Sequence, residues 1–254
     1  IVGQNLKNHT KNHPTLSHTH VAEIMIKEFV ILGPTSSGKT SLALKLCQKF
    51  GGVIVSVDSR QIYKYFDIGT GKIPLDSKYE VKKEHVFWSV DGIKIYGYDI
   101  ADAKEYFSVV DFIEFVSSLN LEGNVFYVGG TGFYFDVLLG NKKVSNVLPN
   151  EDLRKELSIK NINELYQILL ELNKKRAKKI DRKNKVRLIR AIEIEKSEKI
   201  SQTKSKPALT NPLILGLTAS RECLYKRVDS WVEKAFNSGF LEETRKLVNQ
   251  GYGE

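Results

Sequence analysis

The run Gly33-Pro34-Thr35-Ser36-Ser37-Gly38-Lys39-Thr40 has the spacing G-x-x-x-x-G-K-[ST]. Its glycines let the backbone curl so that successive N–H groups point into one concavity. A helix beginning at its end adds positive potential there, and the two together bind an anion. Lys39 would neutralise bridging phosphate charge, and the Thr40 hydroxyl would hold Mg²⁺. The loop therefore reads diphosphate and Mg²⁺. It reads neither adenine nor ribose, so a nucleotide and any other molecule with a diphosphate tail both fit.

Two further stretches place reactive groups where a ligand of that loop could meet them. Asp58 closes the β-branched run "VIVSVD", followed by Ser59, Arg60 and Gln61. In a parallel sheet the C-terminal strand ends line the ligand crevice. A carboxylate there can act as a general base, or hold Mg²⁺ through water; it can equally cap a turn or a helix. In "YVGGTGFYF", Gly129 and Gly130 permit close approach of another backbone or of a ligand, and Thr131 can cap the next helix, bond a substrate, or both.

These groups need a scaffold of alternating strands and helices, and the sequence carries one. "EFVILG", "GGVIVSVD", "NVFYVGG" and "PLILGLT" read as buried strands. "KTSLALKLCQKF" has helical spacing at Leu42, Leu46 and Phe50. "SVVDFIEFVSSLN" places Val109, Phe112, Ile113 and Val116 on one helical face, and "FYFDVLLG" starts a helix ending near Gly140. "VFWSVDGIKIYGYDI" is a hairpin turning at Asp91-Gly92. The fold expected is an α/β core with a parallel sheet covered on both faces.

Residues 141–206 have a different texture: helical, polar and basic. Between Lys174 and Arg190 there are ten Lys or Arg and one acid, Asp181. The division expected is a polar tail at 1–24, an α/β core at 25–140 and 207–254, and a basic helical insertion at 141–206. The tail holds four of the five histidines, without a core to organise them into a metal site, and Met25 is the expected biological start. The net charge of +9, with 39 Lys+Arg against 30 Asp+Glu, fits a polyanionic partner. Cys47 and Cys223 lack metal-ligand spacing and read as reduced thiols. No apolar run approaches the roughly 20 residues of a membrane span, so the expectation is a cytoplasmic protein without membrane contact, acting as a monomer.

The stretches "GPTSSGKTSLA", "VSVDSRQIYKYFDIGTGKIP", "YFSVVDF", "VGGTGFYFDVLLG", "RLIRAIEI" and "RECLYKRV…GFLEETRKLVNQGY" resemble, in order, the tRNA dimethylallyltransferase (tRNA isopentenyltransferase) family of bacterial type. The resemblance implies a P-loop NTPase-like core. It implies transfer of a dimethylallyl group from dimethylallyl diphosphate to N6 of adenosine 37 in tRNA, releasing diphosphate, with Mg²⁺ as cofactor. It assigns Asp58 as the base and gives Lys39 and Thr35 catalytic roles. Gly33 to Thr40 and Arg227 would bind the donor, with Thr40 on the metal. Asp58, Ser59, Arg60, Gln61, Thr131, Arg154, Val186, Arg187, Leu188, Ile189 and Arg190 would contact tRNA.

The chain also departs from the family pattern. Trp231 stands where a second diphosphate-binding Arg is usual, leaving Arg227 and Lys234 as the expected cations. A usual paired-His stretch is replaced by "IYGYDI", and Arg154 lies one residue further from Thr131 than is typical. The family pattern continues beyond Glu254 with a further helical tRNA-contacting segment, so a longer chain is expected. Three other readings share these features: a P-loop small-molecule kinase, an adenylate isopentenyltransferase, and a tRNA-binding remnant without catalysis.

Overall fold

The structure is a computed structural model that describes residues 27–72, 74–75, 79–197 and 208–253. The expected tail, the Met25 start and the last part of the insertion lie outside these residues. The strands are β1 (Glu28–Leu32), β2 (Val53–Ser56), β3 (Val81–Lys83), β4 (Trp88–Val90), β5 (Ile93–Tyr96), β6 (Val125–Gly129) and β7 (Leu213–Gly216). They form one sheet in the order β3-β4-β5-β2-β6-β1-β7.

Strands β5, β2, β6, β1 and β7 run parallel, whereas β3 and β4 are antiparallel additions at one edge. The core sheet is thus parallel as expected, and the expected hairpin adds an antiparallel edge. The cause is the Asp91-Gly92 turn: both residues have positive φ, +49° and +78°, which gives the two-residue hairpin geometry matching strand twist.

Alternation along the central strands feeds two cores, as period-2 geometry requires. Val30, Val55, Val125 and Tyr127 face one side, with Phe112, Ile113, Tyr134 and Phe135. Ile31, Ile54, Phe126 and Val128 face the other, with Ala43, Leu44, Cys47 and Trp88.

Helix α1 (Lys39–Phe50) buries Ala43, Leu44 and Cys47, while Phe50 is exposed. The face expected from Leu42, Leu46 and Phe50 is therefore rotated. Small side chains at 43 and 47 let the helix axis come close to the sheet, and Leu42 and Leu46 lie partly buried along its flank. Helix α2 (Val109–Ser118) buries the four residues its spacing predicts and starts at a Ser108–Asp111 capping box. Each such aliphatic or aromatic burial is worth about 1.5–3 kcal/mol, against about 1 kcal/mol for a cap, so the face rather than the cap fixes where α2 lies. Helix α3 (Gly132–Leu138) packs beside it.

Helices α4 (Glu151–Ser158), α5 (Ile162–Leu172), α6 (Lys174–Ala177) and α7 (Lys185–Lys196) share a core of their own. It contains Leu157, Leu165, Leu169, Ala177, Leu188 and Ile192. Beyond β7 come α8 (Arg221–Asn237) and α9 (Phe240–Asn249), a hairpin turning through Gly239 at φ +98°. Strand β7 is an edge whose Leu213 and Ile214 remain substantially exposed, so this end of the sheet is less covered than expected.

Candidate active site

Parallel register brings three loops to one place. Leu32 lies opposite Gly129, and Val128 opposite Ser56, so β1, β6 and β2 end side by side. The phosphate-type loop follows β1, Gly130 and Thr131 follow β6, and Asp58 lies two residues beyond β2. Packing at Gly129 is tight: a Cβ there would stand 1.9 Å from the Val57 carbonyl oxygen. Only glycine allows β6 and the Asp58 strand end to approach this closely.

The loop turns through Ser36 (φ +60°) and Gly38 (φ +89°) before α1 begins at Lys39. Thr35 and Thr40 are exposed at its mouth, and Pro34 accepts a hydrogen bond from Lys39 Nζ at 2.8 Å. The buried Ser37 hydroxyl is the one buried side-chain polar atom without a hydrogen-bond partner among the described residues. An orphan hydroxyl inside an amide-lined loop is what a bound anion would satisfy. Burial lowers the Lys39 pKa, and the nearby Asp58 charge opposes that shift. Among the described residues no cluster of three or more His, Cys, Asp or Glu could cage a metal. The exposed Thr40 hydroxyl at the loop mouth is the group that would hold Mg²⁺ beside a bound phosphate, where the ion would neutralise phosphate charge.

Asp58 is half-buried and accepts Arg60 N–H at 2.8 Å on Oδ1, which is the turn-capping reading realised on one oxygen. Buried Val57 and Ile62 pin the two ends of the arc Asp58–Gln61. Thr131 sits at the N-cap position of α3, yet its side chain makes no cap bond. Its Oγ1 accepts Ser59 N–H at 3.1 Å and so ties the two strand-end loops together. Gln61 is a strut: it accepts Ser56 Oγ–H at 2.7 Å and donates to the carbonyls of Thr70 and Gly71 at 3.1 and 3.2 Å. Arg60 is exposed at the rim. Tyr98 and Tyr134 complete the surroundings. Burial, then the Asp58 charge, pushes the Tyr98 phenol far up; burial, then neighbouring groups including Asp58, raises Tyr134 to about 12. Both hydroxyls stay protonated beside the carboxylate.

Arg227 of α8 reaches across to donate to the Ser36 carbonyl at 3.3 Å. Trp231, one turn on, lies against Gly71. The indole thus packs on the turn that holds Gln61, and Arg227 and Lys234 line the same cavity as Ser36 of the loop.

The insertion residues divide into two sets. Arg154 forks onto buried Glu193, Nε to Oε1 at 2.9 Å and NH2 to Oε2 at 3.1 Å. Arg190 bonds the same carboxylate and the Val147 carbonyl at 2.6 Å. Leu188 is fully buried in the insertion core, and Ile189 packs against it. Of the stretch 186–190, Val186 and Arg187 present exposed side chains. Lys174, Lys175, Lys178, Lys179 and Lys183 are exposed as well, forming a cationic surface.

Glu193, Lys72 and Glu243, which the structure places at the centre of polar networks, are not singled out by the sequence. Lys72 is fully buried between Asp67 and Asp99, whose other oxygen accepts Trp88 Nε1–H at 2.8 Å. Lys72 closes the run "DIGTGK", whose first residue, Asp67, is one of its partners, whereas Asp99 lies further along the chain.

A strand–loop–helix anion site after β1, with a carboxylate at the end of β2 two strands across the same sheet edge, defines a P-loop-type α/β protein. The chain belongs to the IPP transferase family, whose model matches residues 61–254. It is 36% identical over 238 residues to the tRNA dimethylallyltransferase of Acetivibrio thermocellus, covering 88% of this chain and 72% of that one. It is 34% identical over 240 residues to the Pediococcus pentosaceus protein of the same name, covering 89% and 73%. Among solved structures it resembles the tRNA isopentenylpyrophosphate transferase of Bacillus halodurans, with a TM-score of 0.53 and 31% identity over 89% of this chain and 71% of that one. It also resembles a eukaryotic dimethylallyltransferase acting on tRNA, with a TM-score of 0.67 and 26% identity over 89% and 56%.

Proposed function

We propose that this protein transfers the dimethylallyl group of dimethylallyl diphosphate to N6 of adenosine 37 in tRNA and releases diphosphate. The observation that carries this reading is the Ser59–Thr131 tie. It holds the carboxylate-bearing arc and the glycine turn in one wall opposite the anion loop. The names of the relatives supply the two substrates.

In this reading the C–N bond forms between adenine N6 and C1 of the prenyl group as the C1–O bond to diphosphate breaks. Oδ2 of Asp58 takes the N6 proton, its Oδ1 being held by Arg60 N–H. The bond pair leaves with the diphosphate, whose growing charge meets the loop amides, the Ser37 hydroxyl and Lys39; Thr35 lies at the same mouth. Donors aimed at charge that develops in the transition state accelerate the step more than they tighten ground-state binding. Mg²⁺ bound at Thr40 would neutralise further leaving-group charge. Lys39 would exchange its Pro34 carbonyl for a ligand oxygen. Because the adenine must reach the wall at the strand ends, it enters unstacked from the anticodon loop. The exposed cations of the insertion, Arg187 and Lys178 among them, attract the RNA backbone.

The test is incubation of the protein with labelled dimethylallyl diphosphate, Mg²⁺ and one of three acceptors. These are an anticodon stem-loop with three consecutive adenosines, AMP, or a small-molecule mixture with ATP. Label in the stem-loop is expected. Label confined to AMP would assign the adenylate enzyme, and phosphate transfer from ATP would assign a kinase. RNA binding without label would leave a binding protein.

A further inference from the structure

The α8–α9 hairpin ends on a feature the transfer reaction does not explain. Glu243 of α9 reaches the tight turn after Phe66, where its carboxylate accepts three backbone N–H groups. Oε2 takes those of Asp67 and Ile68 at 3.0 and 2.8 Å, and Oε1 takes that of Gly69 at 2.9 Å. Successive amides of this kind form an anion-binding concavity, and here the anion is a side chain from roughly 175 residues away, as the separations of 176, 175 and 174 show. The seat is fitted closely: a Cβ at Gly69 would stand 2.9 Å from the Phe240 ring.

The far side of the same turn faces the reaction wall. Its Thr70 and Gly71 carbonyls are the acceptors that hold Gln61 Nε2, and Gln61 Oε1 in turn meets Ser56 at the end of β2. The turn is braced from within by the Asp67 carbonyl accepting Lys72 N–H at 2.9 Å and by the buried Lys72 ammonium on Asp67. Its outward anchor on α9 is Glu243. The hairpin also presses Trp231 on Gly71 and sends Arg227 to the Ser36 carbonyl of the anion loop.

We infer that Glu243 is a positioning residue for the acceptor: by filling the amide concavity of residues 67–69 it fixes the carbonyls that orient Gln61, and with it the arc carrying Asp58. This rests on the proposed transfer to RNA. Removing the carboxylate forfeits three charge-assisted hydrogen bonds but touches neither substrate, so its effect falls on acceptor geometry. The vacated concavity should accept a small carboxylate from solution.

The experiment compares the intact protein with Glu243→Ala and Glu243→Gln, using labelled dimethylallyl diphosphate and the stem-loop, with and without formate. Amide hydrogen exchange of residues 67–71 is followed in parallel. For Glu243→Ala, KM for the stem-loop rises about tenfold or more, consistent with loss of charged hydrogen bonds, while donor affinity changes less than about twofold. Formate restores part of the acceptor KM and slows exchange at Asp67–Gly69, and it leaves the native protein unaffected. Glu243→Gln, which keeps one acceptor oxygen, falls between.

An unchanged stem-loop KM overturns the inference. So does equal loss of both substrates with rapid exchange throughout the chain and no recovery in formate, which is general unfolding. If the native protein transfers no label while exchange at 67–69 still responds to Glu243 and formate, the transfer reading fails and the clamp stands.

Discussion

Thr131 Oγ1 accepts the backbone N–H of Ser59 at 3.1 Å across 72 residues of sequence, so the loop after β6 holds the loop that bears Asp58. Thr131→Val keeps the shape and removes the acceptor, leaving a partly buried N–H unpaired at a cost of about 1–3 kcal/mol. The expected result is a fall of about tenfold or more in kcat/KM for the stem-loop, with Thr131→Ser close to native. Steady-state rates for the two variants check this, and equal activity in both would remove the tie from the account.

Asp58 is expected to act on the proton rather than on affinity. Asp58→Ala should lower the transfer rate by at least about 10²-fold, the scale of a positioned general base, with stem-loop binding weakened much less. Single-turnover rates alongside equilibrium binding separate the two effects. Near-native turnover would exclude Asp58 as the base.

The insertion cations should differ in their salt signatures. Arg187 is exposed, whereas Arg190 and Arg154 are committed to Glu193. Arg187→Gln should reduce the slope of log affinity against log salt by roughly 0.7–0.9, the value of one lost phosphate contact. Arg190→Gln should instead lower thermal stability by uncovering a buried carboxylate. Binding titrations over a range of salt and thermal melts check the pair. A salt effect at Arg190 with no loss of stability would contradict this division.

Glu193 also predicts an acid response. Burial would raise its pKa, but hydrogen bonds from Arg154, the Asn150 amide and Arg190 outweigh burial, and the folded value lies below the ordinary 4.5. A depressed carboxyl stabilises the fold above its unfolded pKa, and that contribution is lost as pH falls through the folded value. The helical signal should therefore weaken on acidification, and Glu193→Gln should be less stable at neutral pH with a shallower acid dependence. Parallel pH titrations of the two proteins measure it.

The local features were legible: the anion loop, the four-residue face of α2, the Asp91-Gly92 hairpin and the placing of Asp58 at a strand end. Each follows from residues within one element and its turn. The packing face of α1 was not, because the buried set is fixed by how closely Ala43 and Cys47 let the helix approach the sheet. Arg154 and Arg190 are tRNA contacts by resemblance, and nothing local in the sequence reveals that both also bond the buried Glu193. Thr131 was open between cap and contact, and only the fold shows its hydroxyl turned to Ser59. Glu243 was silent because its amide partners lie far away in the chain.

The central claim is that the loop at Gly33–Thr40 holds a leaving group departing from carbon. The direct measurement is mass analysis of the stem-loop nucleosides together with the diphosphate released from dimethylallyl diphosphate in one reaction. The account predicts one prenylated adenosine, modified at N6, for each diphosphate set free, with no requirement for ATP. A phosphorylated acceptor formed at the expense of ATP, with dimethylallyl diphosphate left intact, would contradict it.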